Sequence, residues 1–218
     1  MKPPSSSRAL PPLYAILDVD LLAARSRNLQ SFAAELRDAG TELLQYRNKQ
    51  GSARAMLKDA AMLKKIFPAG GDVRLLFNDR ADLALPASFD GVHVGQQDLS
   101  AEDARSILGS QRWVGVSTHT REQVIEANRT SCDYIAYGPV FPTASKNNPD
   151  PIVGLAGLRT ARTLTQKPLV AIGGITRENC RSVLDAGADS IAVISGLLPA
   201  SSSETTRQIA EEFLVLLG

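Results

Sequence analysis

Two cysteines in 218 residues, Cys132 and Cys180, stand in no CxxC or CxxH spacing and are too few for a disulfide framework. That excludes a disulfide-stapled scaffold, and both thiols read as small buried hydrophobes of a reducing compartment. Charge of one sign is equally scarce. Acids and bases nearly cancel to a formal net charge of +1, and aromatic residues make up 5% of the chain, so nothing in bulk draws the protein to nucleic acid or an anionic membrane. Anion binding has to be local. No apolar run is long enough to span a bilayer, and the Pro- and Ser-rich first twelve residues hold no apolar signal-peptide core. The expectation is a cytoplasmic protein with a disordered tail over 1–12 and one catalytic domain over 13–218.

Apolar material is plentiful at 44% of residues, enough for a core without disulfides or a structural metal. From Leu13 onward short apolar runs alternate with longer runs of helical periodicity, the pattern of repeated βα units. Strands are expected over 13–17, 42–46, 73–77, 91–94, 113–116, 134–137, 169–172 and 190–194. Most are apolar throughout, as strands covered on both faces are. Helical spacing recurs over 26–39, 53–66, 121–128 and 178–185, with a short helix near 81–86. Two strand entries, Cys132-Asp133-Tyr134-Ile135-Ala136 and Ala188-Asp189-Ser190-Ile191-Ala192, look alike, which reads either as an internal repeat or as Asp used twice as a turn residue. Eight units with no linker-like interior point to the α/β class and a single (β/α)₈ TIM barrel of parallel strands, in preference to an open doubly wound sheet.

In such a barrel the chemistry belongs where strands end and loops begin. After the second strand, Arg47 and Lys49 lie two apart on an extended segment and share a side; they fit a pyrophosphate or, equally, a solvated basic loop. Asn78-Asp79 follows the third strand and Gly95-Gln96-Gln97-Asp98 the fourth. Asp79 and Asp98 are too few for an all-protein metal cage but suit Mg²⁺, which takes one or two carboxylates and completes its shell with water and phosphate oxygens. Alternatively each caps a following helix. Ser117-Thr118-His119 offers hydroxyls and an imidazole, the latter read as a structural hydrogen-bonding group or as a catalyst. Within Gly138-Pro139-Val140-Phe141-Pro142-Thr143-Ala144-Ser145-Lys146, the apolar Val140-Phe141 pair points to a loop folded over a site and a candidate lid. Gly173-Gly174 after the seventh strand and Ser195-Gly196 after the eighth form together a monophosphate signal.

Taken in order, Gln45-Tyr46-Arg47-Asn48-Lys49, Asn78-Asp79, Gly95-Gln96-Gln97-Asp98-Leu99, the 138–146 tract, Ile172-Gly173-Gly174-Ile175 and Val193-Ile194-Ser195 resemble the thiamine phosphate synthase family over roughly 13–198. The resemblance implies a Mg²⁺-dependent transferase that joins a pyrimidine diphosphate to a thiazole phosphate and releases pyrophosphate. It implies that Gln45, Arg47, Lys49, Asn78, Ser117 and Lys146 hold the diphosphate substrate, with Arg47, Lys49, Ser117 and Lys146 taking the catalytic part. Asp79 and Asp98 would bind Mg²⁺. Thr143, Ser145 and the backbone around Gly174, Ile194 and Ser195 would hold the thiazole phosphate, and Tyr46, Asn48 and Ala144, inside the same tracts, count as substrate contacts. The chain departs from the family at Tyr46 and Asn48, where Leu and Glu are more frequent, at Gln97 in place of Glu, and at Ser145 in place of Thr. The altered charge at Asn48 and Gln97 is expected to shift Mg²⁺ dependence.

Two other functions share parts of this pattern. A thiazole tautomerase would use His119 as its acid–base group, and a phosphate-ligand sensor would need only the cradle near Gly174 and Ser195; neither has use for Arg47, Lys49, Asp79, Asp98 and Lys146 together. Small molecules are the expected partners, with neither nucleic acid nor membrane, and a homo-oligomer is compatible with the sequence.

Overall fold

A computed structural model describes residues 10–143 and 150–218. Eight strands, β1 (Leu13–Asp18), β2 (Leu43–Arg47), β3 (Arg74–Asn78), β4 (Gly91–Val94), β5 (Trp113–Thr118), β6 (Tyr134–Tyr137), β7 (Leu169–Ile172) and β8 (Ser190–Val193), are all parallel. They follow one another around a closed barrel, β1 pairing with β8 as well as with β2. The helices α1 (Val19–Ala24), α2 (Leu29–Asp38), α3 (Ala53–Ile66), α4 (Ala81–Ala84), α5 (Ala101–Leu108), α6 (Arg121–Arg129), α7 (Gly154–Leu164), α8 (Cys180–Asp185) and α9 (Thr206–Leu217) cover it. Among the described residues no helix is long and apolar enough to cross a membrane.

Because successive side chains on a strand point to opposite faces, the strands feed two cores. Tyr14, Ile16, Leu43, Leu76, Trp113, Tyr134 and Val170 fill the barrel, while Leu13, Leu17, Leu44, Tyr46, Leu75 and Phe77 meet the helices. Leu10 packs against the interior set where β1 begins, and the Pro12 carbonyl accepts from the Ile191 N–H at 2.9 Å.

Four strands run past the apolar runs that mark them: β1 to Asp18, β2 to Arg47, β3 to Asn78 and β5 to Thr118. Ladder pairing continues at the barrel mouth, where Asp18 pairs with Arg47 and Asn78 with His93, although composition there has turned polar. The first helices also differ from expectation. The short α1 follows β1 directly, capped by the Asp18 side chain, and α2 starts at Leu29 instead of 26 because Ser26 takes a left-handed φ of 50° and Asn28 supplies the cap. Similarly, α8 starts at Cys180 instead of 178, after a turn closed by Cys180 N–H to Thr176 O at 2.9 Å.

Gly115 is required by space. A Cβ there would lie 2.0 Å from Tyr134 Cζ inside the barrel. Gly115→Ala is therefore expected to cost roughly 2 kcal/mol, which for a chain of this size lowers Tm by roughly 4–8 °C. Thermal unfolding checks this, and an unchanged Tm would contradict the packing.

Candidate functional site

A cavity of about 100 Å³ opens at the C-terminal ends of the strands and descends between them. Tyr14, Ile16, Gln45, His93, Ala136 and Ala192 line its depth, and Arg47, Asn78, Ser117, His119, Thr143 and Asp150 reach it from strand ends and loops. Gln45 and Arg47 both enter because they are two apart on β2. Tyr46 between them faces the other way: buried against Phe77, it donates to Asp59 Oδ2 on α3 at 2.7 Å and accepts from Asn48 Nδ2 at 3.0 Å. Asn48 also accepts from the Gly51 N–H at 2.7 Å. Neither Tyr46 nor Asn48 lines the cavity.

Charged groups gather where β2, β3 and β4 end; of Arg47, Lys49, Asp79 and Asp98, Arg47 lines the cavity and the other three do not. Arg47 pairs through Nη1 with the buried carboxylate of Asp18, and Lys49 pairs through Nζ with Asp79. Asp79 has a φ of 63°, a left-handed conformation that Asp tolerates better than most residues, and this turn sets its carboxylate against both Lys49 and Asp98. Partial desolvation, and after it the neighbouring Asp79, push the Asp98 carboxyl above the usual range, while the Gly95 N–H, 2.9 Å from Oδ2, pulls the other way. A carboxyl whose ionisation is disfavoured by a second carboxylate set against it is a ready position for a cation. Neither caps a helix: α5 is capped by Ser100, and α4 has no side-chain cap. Among the described residues no third His, Cys, Asp or Glu joins them, so a cation held there would take its other ligands from water and substrate oxygens.

Across the cavity the ends of β7 and β8 form a narrow recess of about 30 Å³, lined by Gly173, Gly174, Ile175, Ile194, Ser195 and Thr143 among others. It shares Thr143, Ile172, Gly173, Ala192 and Ile194 with the larger cavity, so the two adjoin. Gly174 has a φ of 64°, and a Cβ on it would lie 2.4 Å from the Pro142 carbonyl oxygen. The loop after β6 lies along this edge: the Val140 N–H donates to Ile172 O at 2.9 Å and the Phe141 N–H to Gly173 O at 3.0 Å. Val140 is buried in the helix-facing core and Phe141 packs against it. Ala144, Ser145 and Lys146 lie outside the described residues.

His119 sits where β5 meets this loop. Its Nδ1 lies 2.7 Å from Gly138 O, and Nε2 is 3.5 Å from Asp150 Oδ2. Five buried or half-buried residues, three of them unmarked by the sequence, connect beneath the mouth. Gln45 Nε2 donates to Tyr14 Oη at 2.7 Å, Tyr14 and Tyr134 hydroxyls are 3.0 Å apart, and Tyr134 Oη lies 2.9 Å from His93 Nδ1. His93 Nε2 then lies 2.8 Å from Ser117 Oγ. Burial holds both tyrosine hydroxyls protonated, with their titration pushed far up. Asp18 was also missed; it is a helix cap, accepting from the Leu21 N–H at 3.0 Å, as well as the partner of Arg47.

Residues 13–197 match the family model described as thiamine monophosphate synthase. A thiamine-phosphate synthase of Koribacter versatilis is 56% identical over 98% of this chain and 99% of its own length. One of Chlorobium phaeovibrioides is 43% identical over 85% of this chain and 86% of its own. The solved structure of a thiamine phosphate pyrophosphorylase from Pyrococcus furiosus superposes with a TM-score of 0.82 at 33% identity, covering 94% of both chains.

Proposed function

Since the chain belongs to the thiamine monophosphate synthase family, we propose that it joins 4-amino-2-methyl-5-hydroxymethylpyrimidine diphosphate to thiazole phosphate, giving thiamine phosphate and pyrophosphate. The observation that carries this reading is the pairing of two unlike zones on two adjoining cavities. Arg47, Asn78 and Ser117 line one side, with the Lys49, Asp79 and Asp98 cluster beyond the same strand ends, and the uncharged backbone recess of Gly174, Ile194 and Ser195 lies on the other. A monophosphate isomerase or sensor needs only the second zone.

In the reaction the bond between the exocyclic carbon of the pyrimidine and the diphosphate oxygen breaks, and its electron pair leaves with pyrophosphate. The ring and its amino group carry the developing positive charge until the thiazole nitrogen lone pair forms the new C–N bond. Charge neutralisation and placement do the work, so no strong general base is needed. Arg47 offers a planar fork and Lys49 a mobile point charge to the diphosphate, and Asn78 and Ser117 offer further polar contacts from the wall. Lys146 and Ser145 complete this reading from the 138–146 tract. The paired carboxylates of Asp79 and Asp98 fit Mg²⁺, which when bound supplies charge neutralisation to the leaving diphosphate. The recess orients the thiazole phosphate so that its nitrogen faces the breaking bond.

Thermal shift tests the two zones together. Pyrophosphate with Mg²⁺ is expected to raise Tm more than the two separate increments combined, because a ligand of the folded state stabilises by mass action. Stabilisation by a monophosphate alone, with no response to Mg²⁺ and pyrophosphate, would favour the sensor.

Gly174→Ala tests the recess. The added methyl meets the Pro142 carbonyl, and the left-handed φ disfavours Ala. The KM for thiazole phosphate is expected to rise ~10-fold or more, with the pyrimidine diphosphate KM changed far less, corresponding to the loss of one or two hydrogen bonds to a charged group. Steady-state kinetics with each substrate varied in turn would show it, and equal changes in both KM values would place the monophosphate elsewhere.

A further inference from the structure

The chain Gln45–Tyr14–Tyr134–His93–Ser117 has a direction. An amide nitrogen donates only, so at the Gln45 end Tyr14 Oη is the acceptor. If Tyr134 also donated to Tyr14, the Tyr14 oxygen would accept twice and its own proton would lack an acceptor among the described residues, in a fully buried position. An orphaned buried donor is costly, so the Tyr14 proton goes to Tyr134. Tyr134 must then give its proton to His93 Nδ1. The neutral imidazole accordingly carries its hydrogen on Nε2 and donates to Ser117 Oγ, which leaves the Ser117 proton directed into the cavity.

We propose that Tyr14, Tyr134 and His93 are positioning residues forming a one-way hydrogen-bond relay across the barrel, presenting the Gln45 carbonyl oxygen and the Ser117 hydroxyl proton to the bound substrate. The ligand must bring a donor to Gln45 and an acceptor to Ser117. Under the reading above, these are the amino group of the pyrimidine and an oxygen of its diphosphate. A ligand with an acceptor in place of the amino group would turn the Gln45 amide over. Every link would then reverse, and the Ser117 proton would point back at His93. The relay thus ties recognition at the ring to hydrogen bonding at the leaving group, two ends that share no direct contact.

Two-bond ¹H–¹⁵N correlation spectra of the full chain, labelled at histidine, read the direction without turnover. Wild-type His93 is expected to be the Nε2–H tautomer. Tyr134→Phe keeps the ring packed against Tyr14, His93 and Trp113 but removes the proton given to Nδ1, so the preference is expected to collapse toward a mixture. Tyr14→Phe, which frees Tyr134 to turn, is expected to do the same and serves if the first variant folds poorly. In turnover, either variant is expected to lower kcat ~10-fold with the thiazole phosphate KM within about 2-fold of wild type, the size of effect one misdirected hydrogen bond gives. A wild-type Nδ1–H tautomer overturns the relay, as does a tautomer preference that both variants leave intact. A relay with the expected tautomers in a protein that makes no thiamine phosphate would sink the proposed function and leave the relay standing.

Discussion

Asp98→Ala is expected to lower thiamine phosphate formation on the order of 10³-fold while leaving the fold at least as stable as wild type, because Asp98 would hold the Mg²⁺ whose charge offsets the leaving diphosphate, and such electrostatic stabilisation is among the largest catalytic terms. The absence of a stability cost follows from the sign of its titration. The Asp98 carboxyl is pushed up by desolvation and by Asp79. A carboxyl whose pKa is raised on folding holds its proton more tightly in the native state, so its ionisation costs stability as pH rises through that range. Removing it therefore relieves a repulsion at neutral pH. Initial rates over a Mg²⁺ series, set beside thermal unfolding, check both halves. Wild-type rates in a folded Asp98→Ala protein would remove the carboxylate pair from the mechanism.

Arg47→Ala carries the second large effect, and it divides differently. Asp18 is 5% exposed, and without Arg47 its carboxylate stays buried and unpaired, a loss on the order of 3 kcal/mol. Tm is expected to fall by roughly 6–12 °C, and activity on the order of 10²-fold or more through loss of the diphosphate contact. Asp18→Asn separates the two roles. Its amide oxygen can still accept from the Leu21 N–H, and no buried charge remains. Most of the stability is expected to return in the Asp18→Asn, Arg47→Ala double variant, whereas activity is not. If the double variant recovers activity as well, Arg47 acts through Asp18 and not on substrate. Arg47→Lys is expected to keep part of the stability and little of the activity, since a point charge does not replace a planar fork.

The barrel was legible because strands covered on both faces are apolar from end to end, and eight such runs alternate with helical periodicity. The same property hid half of the site. Tyr14, His93 and Tyr134 lie in strands where inward and outward positions look alike, so no alternation marked which polar tips meet inside. Asp18 carries no motif of its own, since its roles as the cap of α1 and as the partner of Arg47 depend on where β1 ends and on ladder register. Asp79 and Asp98 were legible by position alone, as acids where strands stop. Tyr46 belongs to the opposite case. It shares a tract with Gln45 and Arg47, but the two-residue period that brings those two inward sends Tyr46 to Asp59. Helix starts were the weakest reading, since Ser26 fits a helical pattern by composition and leaves it through its backbone angle.

The most direct test supplies the folded chain with the pyrimidine diphosphate, thiazole phosphate and Mg²⁺, and follows thiamine phosphate and pyrophosphate together. The account predicts equal amounts of both products, neither of them formed when either substrate or Mg²⁺ is withheld. Pyrophosphate release without thiazole phosphate at a matching rate, or no thiamine phosphate at millimolar substrate, would contradict it.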